Sequence, residues 1–163
     1  KENFKIEDLD IYMPLEFNEL ENFPLEYYFL GYFLKWDPQE VYYYAVENCN
    51  FQANTERTEG TYSKYAGIDD KMEGFHFYTS YIKFGIGRAT MDASQEIRNK
   101  KINREEGIAL VRRYDGEFPS LYFREILEYL DMDEDEFWKI IDEARSPHLW
   151  EKKENQWKLK YSL

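Results

Sequence analysis

The sequence predicts a mainly α-helical protein with one strand near residues 27–35. From Ile68 onward, apolar residues recur at helical spacing, and helix-capping residues separate the successive segments. Earlier in the chain, the run EYYFLGYFLKW at residues 26–36 is dense in aromatic and aliphatic strand-forming residues and is short for a helix. The length of 163 residues is that of one domain with a single core.

The first 50 residues predict an arm, a strand and a helix. Residues 1–26 show no clear period, which is typical of a connecting arm with one short helix. We interpret residues 27–35 as a buried strand. Asp37 and Pro38 resemble an N-cap followed by the first helical position, and they predict a helix to about Asn50. Because a single strand cannot satisfy its own backbone groups, we expect it to join a sheet that lies upstream of Lys1.

Residues 51–67 form a polar segment that predicts a long loop, a class of segment that is often functional. A helix is then expected from Asp69 and Asp70 onward, because acidic residues favour a helix N-terminus. This helix carries apolar residues on nearly all sides, so we predict that it is the buried central helix of the C-terminal half.

Four further helices are predicted in the remaining chain. The helix at 88–100 contains Arg88 and Asp92 at the spacing of an ion pair, and the next helix begins at a capping box formed by Asn103 and Glu106. The others cover residues 119–130 and 133–144, and the segment from Glu151 is a mostly polar tail.

Overall composition excludes several functional classes. The chain has 33 acidic and 21 basic residues, and its net charge of −12 argues against general binding to nucleic acid or to anionic membranes. It contains no apolar run of about 20 residues, the length of a membrane span. Cys49 is the single cysteine, so no internal disulfide or cysteine-based zinc site is expected, and a cytoplasmic location fits best.

The charge is unevenly distributed along the chain. Residues 57–101 hold eight basic and six acidic residues, a net charge of +2, whereas the rest of the chain carries −14. This basic stretch predicts a binding site for an anionic small ligand; the alternative is a set of solvated helix faces with local ion pairs. The candidate substrate- or phosphate-binding residues are Arg57, Lys64, Lys83, Arg88 and Arg98.

Two polar residues are flanked by apolar neighbours on the predicted central helix. Lys83 should either pair with Asp69 or Asp92 or face a ligand, because an unpaired buried ammonium is costly. His76 is interpreted as a hydrogen-bonded core histidine. Asp69 and Asp70 are favourable at a helix start rather than indicative of a metal site, and no metal site is predicted.

The sequence carries no recognised catalytic motif, and its catalytic residues are unknown at this stage. A P-loop, a nucleophile elbow and a HExxH zinc motif are all missing from it. The segment KFGIGR has a Gly-x-Gly pattern without the third glycine of a dinucleotide fingerprint. Close packing at Gly85 and Gly87 explains it better.

Several ordered segments together resemble a known family. They are LGYFLKWDPQE, FQANTERTEGTYSKYAGIDDK, FHFYTSYIKFGIGRATMDASQEIR, REEGIALVRRYDGEFP and RSPHLW, which span Leu30 to Trp150. In this series the chain resembles the C-terminal half of the bacterial N-acetyl sugar amidotransferases. That family is of the PP-loop class, similar to the adenine nucleotide alpha hydrolases, and carries its SGGKDS-like signature in an N-terminal half.

The resemblance implies an ATP-dependent reaction of surface-polysaccharide or flagellin-glycan biosynthesis. An acetamido group on a nucleotide-linked or acidic N-acetyl sugar would become an acetamidino group: adenylylation activates the amide oxygen, pyrophosphate is released, and ammonia attacks the imidate carbon. ATP with Mg²⁺ would be bound mainly by the N-terminal half. Glutaminase and cyclase-like subunits would supply the ammonia.

The resemblance also implies a domain organisation. Residues 1–50 would complete the upstream nucleotide-binding domain, 51–150 would form a helical C-terminal domain, and 151–163 a tail. This chain alone is then expected to be inactive. The alternative function is a non-catalytic helical docking module that contacts the glutaminase or cyclase-like partner through acidic outer helices such as the one predicted at 133–144.

Overall fold

The computed structural model describes residues 5–14, 16–21 and 23–161. Their contacts divide the chain into two compact units, residues 1–36 and 37–163. The first unit contains a 3-10 helix at Ile6–Tyr12, helix α1 at Phe17–Glu21 and the single turn α2 at Leu30–Phe33. In the second unit the helices are α3 (Pro38–Cys49), α4 (Glu73–Phe84), α5 (Arg88–Arg98), α6 (Arg104–Tyr114), α7 (Phe123–Leu130) and α8 (Glu134–Glu143).

The fold is mainly helical, as predicted, with one small sheet among the described residues. Strands β1 (Trp150–Lys153) and β2 (Gln156–Leu159) form an antiparallel hairpin in which Trp150 lies opposite Leu159. Glu154 and Asn155 connect the strands with φ values of 51° and 64°, the two left-handed residues of a type I′ turn. The sequence analysis placed these residues in a polar tail and did not predict the hairpin.

The strand predicted at 27–35 is wrong. Residues 23–29 have no regular structure, α2 follows, and Tyr27 and Tyr32 are 77% and 83% exposed rather than buried. The composition favours a strand, but none of the described residues forms a strand beside this segment. Its backbone instead makes local bonds, such as the one from the Leu34 N–H to the Leu30 carbonyl.

Local capping signals identified several helices correctly. The Asp37 side chain accepts a hydrogen bond from the Glu40 N–H at the start of α3, and Asn50 ends this helix in the left-handed conformation. Asn103 and Glu106 form the predicted reciprocal capping box at α6. Two starts lie later than predicted: α4 begins at Glu73 rather than at Asp69, and α7 begins at Phe123 rather than at Pro119.

The main core lies in the second unit, where α4 packs with α7, α8 and the hairpin. Its buried side chains are Phe75, Tyr78, Ile82, Ile126, Phe137, Ile141 and Trp150. The Trp150 indole N–H donates to the Ile82 carbonyl over 2.7 Å, which fixes the hairpin to the end of α4. This confirms the central position predicted for α4, although one side of the helix faces solvent, since Phe84 is 60% exposed.

No described helix combines the length and the apolar composition that crossing a membrane requires.

Candidate functional site

A two-point clamp orders the long polar loop that precedes α4. Arg57 donates from Nη1 and Nη2 to the two carboxylate oxygens of Glu117, over 2.6 and 2.5 Å. The same carboxylate accepts the Gly60 N–H over 2.9 Å, while Arg57 also donates to the Thr61 carbonyl. Because Arg57 and Glu117 are 60 residues apart in sequence, this bidentate pair fixes the loop onto the segment after α6.

The second anchor point is Glu59. One of its carboxylate oxygens accepts from both the N–H and the hydroxyl of Ser120, over 2.8 and 2.9 Å. The other oxygen accepts the Leu121 N–H. The loop and the segment that leads into α7 are therefore held side by side, and a concave surface lies between them.

This concave surface is a cavity of about 470 Å³. Loop residues 54–59 and 67–71, the first turn of α4 and the segment before α7 line it; they include Asn54, Thr55, Glu56, Arg57, Thr58, Glu59, Asp69, Asp70, Lys71, Phe75 and Tyr122. Such a volume lies in the range of about 300–1,000 Å³ that is usual for small-molecule sites. The wall combines carboxylates, hydroxyls and an amide with aromatic rings.

The cavity is acidic, not basic. Four carboxylates line it, against the two cations Arg57 and Lys71. Both cations are already paired: Arg57 with Glu117, and Lys71 with Glu125 over 2.6 Å. The Arg57 guanidinium also holds the pKa of the Glu117 carboxyl below its ordinary value. A wall of this kind suits the hydroxyl and amide groups of a sugar better than phosphate.

A second, much smaller cavity of about 50 Å³ lies between the start of α3, residues 62–65 and α5. Arg88, Asp92 and Glu96 line it at successive turns of α5. Asp92 accepts from Arg88 Nε over 2.8 Å, the ion pair predicted from the sequence, and from the Thr61 hydroxyl over 2.6 Å. Burial raises the pKa of the Glu96 carboxyl, and the negative charge of Asp92 raises it further.

Burial is also the main influence on the pKa of the Tyr62 hydroxyl. It raises the pKa of this group well above its ordinary value, and the charges of Glu96 and Asp92 act in the same direction. The hydroxyl lies near Glu96, is shielded from solvent, and makes no hydrogen bond of ordinary geometry with the described residues. The Tyr62 hydroxyl and the Glu96 carboxylate are therefore neighbours that interact with each other.

The structure does not bring the five predicted anion-binding residues into one cavity. Arg57 lines the large cavity and Arg88 the small one. Lys64 donates to the Thr55 carbonyl over 2.7 Å, and Arg98 donates to Gln95. Lys83 lies 5.6 Å from the centre of the Phe84 ring.

The environments of Lys83 and His76 differ from those that the sequence predicted. Both side chains are exposed, so Lys83 carries no burial penalty and His76 is not a core histidine. The expectation was wrong because both residues lie on the solvent-facing side of α4, beside the exposed Phe84. Asp70 has a local role: its Oδ1 accepts the Met72 N–H one residue before α4 begins.

Glycines in KFGIGR act structurally, as the sequence analysis predicted. Gly85 ends α4 with φ of 73°, a left-handed conformation that favours glycine. A Cβ at Gly87 would lie 2.8 Å from the Asp115 carboxylate, which accepts the N–H groups of Gly87 and Thr90 at the start of α5.

Sequence reasoning missed Glu117, Glu96 and Tyr62. The one available signal was the i, i+4, i+8 spacing of Arg88, Asp92 and Glu96, which places a charged column on a single helix face. Within the described ranges, His, Cys, Asp and Glu side chains form no cluster of three or more that could hold a metal ion.

The fold and the site together define a class of protein: a helical domain that carries a polar cavity, large enough for a sugar, along an ordered loop. The family model described as "LPS biosynthesis protein WbpG-like, C-terminal domain" matches residues 59–163, and the chain therefore belongs to this family. The matched region contains the cavity wall from Glu59 onward. A search of curated proteins found no match.

Proposed function

We propose that this chain acts as the C-terminal part of an ATP-dependent amidotransferase that converts the acetamido group of an N-acetyl sugar into an acetamidino group with ammonia. The family description places the domain in lipopolysaccharide biosynthesis, and we extend the proposal to flagellin-glycan precursors. The observation that carries the proposal is the large cavity on the family-matched domain. Because the proposed reaction depends on ATP, we propose that it takes place in the cytoplasm.

The cavity is proposed to hold the sugar part of the substrate. Glu56 and Asp69 are exposed carboxylates on its wall and can accept hydrogen bonds from sugar hydroxyls. Tyr122 adds an aromatic wall, one face of which lies under the Lys71 ammonium at 5.1 Å. Because Arg57 and Lys71 are paired, we assign the nucleotide or acidic part of the substrate to contacts outside this cavity.

The large cavity does not suit the phosphates of ATP. These phosphates need unpaired cations or a cradle of backbone N–H groups, and the cations on the cavity wall are committed to Glu117 and Glu125. We therefore assign ATP and Mg²⁺ to a nucleotide-binding half outside these residues. When bound there, ATP supplies activation of the amide oxygen, while this domain orients the sugar.

The competing proposal is a docking module for a glutaminase or cyclase-like subunit. It is favoured by exposed apolar residues within an acidic surface on α7 and α8: Tyr129 is 80% exposed and Ile140 is 45% exposed, and α8 opens with Glu134, Asp135 and Glu136. Tyr129→Ser should abolish capture of such a subunit if docking is the function. Sugar binding should then be absent.

The enzyme encoded by the complete reading frame tests the proposal with isotopically labelled ammonia. Incubation with ATP and a panel of nucleotide-linked N-acetyl sugars should give AMP, pyrophosphate and a sugar that carries the label in an amidine. The 163-residue chain alone should give none of these products. Turnover of ATP to AMP by the short chain, or label incorporation without ATP, would contradict the proposal.

A further inference from the structure

An open groove of about 690 Å³ lies at the corner between α7 and α8. Two partly buried apolar side chains that pack against the core, four carboxylates and a single cation line it among the described residues. They are Leu127, Met132, Glu128, Asp131, Asp133, Glu136 and Arg124. A groove this open does not enclose a small molecule, most of whose surface is buried in an ordinary ligand site. Its shape suits a segment of another protein.

The carboxylates of this groove are not neutralised within the chain. None of the ion pairs among the described residues involves them. Asp133 accepts the Glu136 N–H at the start of α8, a bond that leaves its charge in place. The described residues also form no group of three or more His, Cys, Asp or Glu side chains that could hold a metal ion. The groove therefore selects a basic protein surface.

The chain carries such a surface at the corner between α5 and α6. Residues 98–104 contain four basic residues and no acidic one, although the net charge of the chain is −12. Lys101 pairs with two carboxylates at the start of α3. Lys100 and Arg104 are exposed and form no ion pair with the described residues, and Arg98 donates to an amide side chain. Three cations of this corner can thus meet carboxylates of another molecule.

The two corners do not neutralise each other within one copy. Both belong to the compact unit of residues 37–163, yet no ion pair joins them in the part of the chain that the structure describes. A second copy offers the missing partner, because every copy carries both corners. The net charge of −12 does not prevent this contact, since charges more than about 8 Å apart are largely screened at physiological ionic strength.

We propose that the α7–α8 groove of one copy binds the basic α5–α6 corner of a second copy. Cations of residues 98–104 meet the unpaired groove carboxylates, while Leu127 and Met132 provide apolar contact area. Opposite charges give such a contact its specificity and make it sensitive to salt. The inference does not rest on the proposed function.

Sedimentation velocity of the purified 163-residue chain measures this self-association. We expect a mass that rises with protein concentration in low salt and falls towards that of the monomer as sodium chloride is added. The corner variant, Lys100→Glu with Arg104→Glu, and the groove variant, Glu128→Lys with Glu136→Lys, place like charges across the contact. Each double variant should weaken the association about 100-fold.

Mixing the two variants tests the pairing of the corners. Each variant keeps one native surface, and the reversed surface of one complements the reversed surface of the other. An equimolar mixture should therefore associate about as strongly as the wild type, although neither variant associates alone. Lys83→Glu with Lys158→Glu is the matched control: it changes the net charge as the corner variant does, at exposed positions outside both corners, and should leave the association unchanged.

The proposal would be overturned by a wild-type chain that stays monomeric in low salt, or by a mixture that stays monomeric although circular dichroism shows both variants folded. Association that is unaffected by salt and by both variants would also overturn it, and would assign the contact to another surface such as the exposed aromatic residues of segment 23–36. If a double variant does not fold, Lys100→Gln and Glu128→Gln replace it, and each should weaken the association about 10-fold. The assay contains neither ATP nor sugar, so its outcome is independent of the amidotransferase assay.

Discussion

Replacing Glu117 with glutamine should destabilise the compact unit formed by residues 37–163. The carboxylate accepts three hydrogen bonds, two from Arg57 and one from the Gly60 N–H. Glutamine has one acceptor oxygen, and its NH₂ group would face the guanidinium donors. Bonds to charged groups contribute about 1.5–3 kcal/mol each, and partial exposure of the pair places the expected loss near 2 kcal/mol.

Urea denaturation followed by tryptophan fluorescence measures this loss, because Trp150 is buried in the core. A loss of about 2 kcal/mol corresponds to a fall in Tm of about 6 °C for a unit of this size. Glu125→Gln is the control: its partner is Lys71, both side chains are more than half exposed, and the change should lower the unfolding free energy far less than Glu117→Gln does. Equal stability losses in the two variants would refute the assignment of Arg57–Glu117 as a clamp.

The same pair predicts a pH dependence. The folded-state pKa of Glu117 is lowered from its ordinary value of 4.5, so its contribution is complete above pH 4.5 and is lost as the pH falls through the lowered pKa. Glu117→Gln should therefore differ most from the wild type at neutral pH and least in acid. A difference in unfolding free energy that stays constant down to strongly acidic pH would contradict this linkage.

Three further changes test other parts of the account. Glu96→Gln should raise the unfolding free energy at pH 7, because the folded-state pKa of Glu96 is raised and its ionisation above pH 4.5 therefore destabilises the folded state; a lower unfolding free energy would contradict this. Gly116→Ala should lower the unfolding free energy measured in urea by about 3 kcal/mol, because the φ of Gly116 is 76° and the new Cβ would lie 2.3 Å from Tyr81. Gly31→Ala is the control: a Cβ there meets open space, so the unfolding free energy should hardly change. Trp150→Phe should lower Tm by several degrees through loss of its buried bond to the Ile82 carbonyl, and an unchanged Tm would rule out that anchor.

The sequence predicted those features whose causes are local. The Asp37-Pro38 start of α3 and the Asn103–Glu106 capping box each depend on residues within one helical turn, so the residue types suffice to predict them. The strand at 27–35 was predicted from composition alone. A strand also requires a partner, and composition does not supply one.

The candidate site could be predicted only in part, because its geometry depends on distant pairs. Nothing in the local sequence indicates that Arg57 will meet Glu117, 60 residues away, and this pairing changes Arg57 from a candidate anion ligand into a loop clamp. The environment of Lys83 was predicted wrongly for a different reason. Its apolar neighbours suggested burial, yet α4 keeps one exposed side, and hydrophobic neighbours in sequence do not identify which side that is.

Ligand-observed saturation-transfer NMR with an N-acetylhexosamine tests the assignment of the large cavity to the sugar most directly. The purified chain should transfer saturation to the sugar ring and to its acetamido methyl group. Asp69→Asn should reduce affinity about 10-fold, the effect of losing one charge-assisted hydrogen bond, while Asp135→Asn on α8 should not change it. Absence of transfer with every N-acetyl sugar tried, or equal affinity in the wild type and Asp69→Asn, would contradict the account.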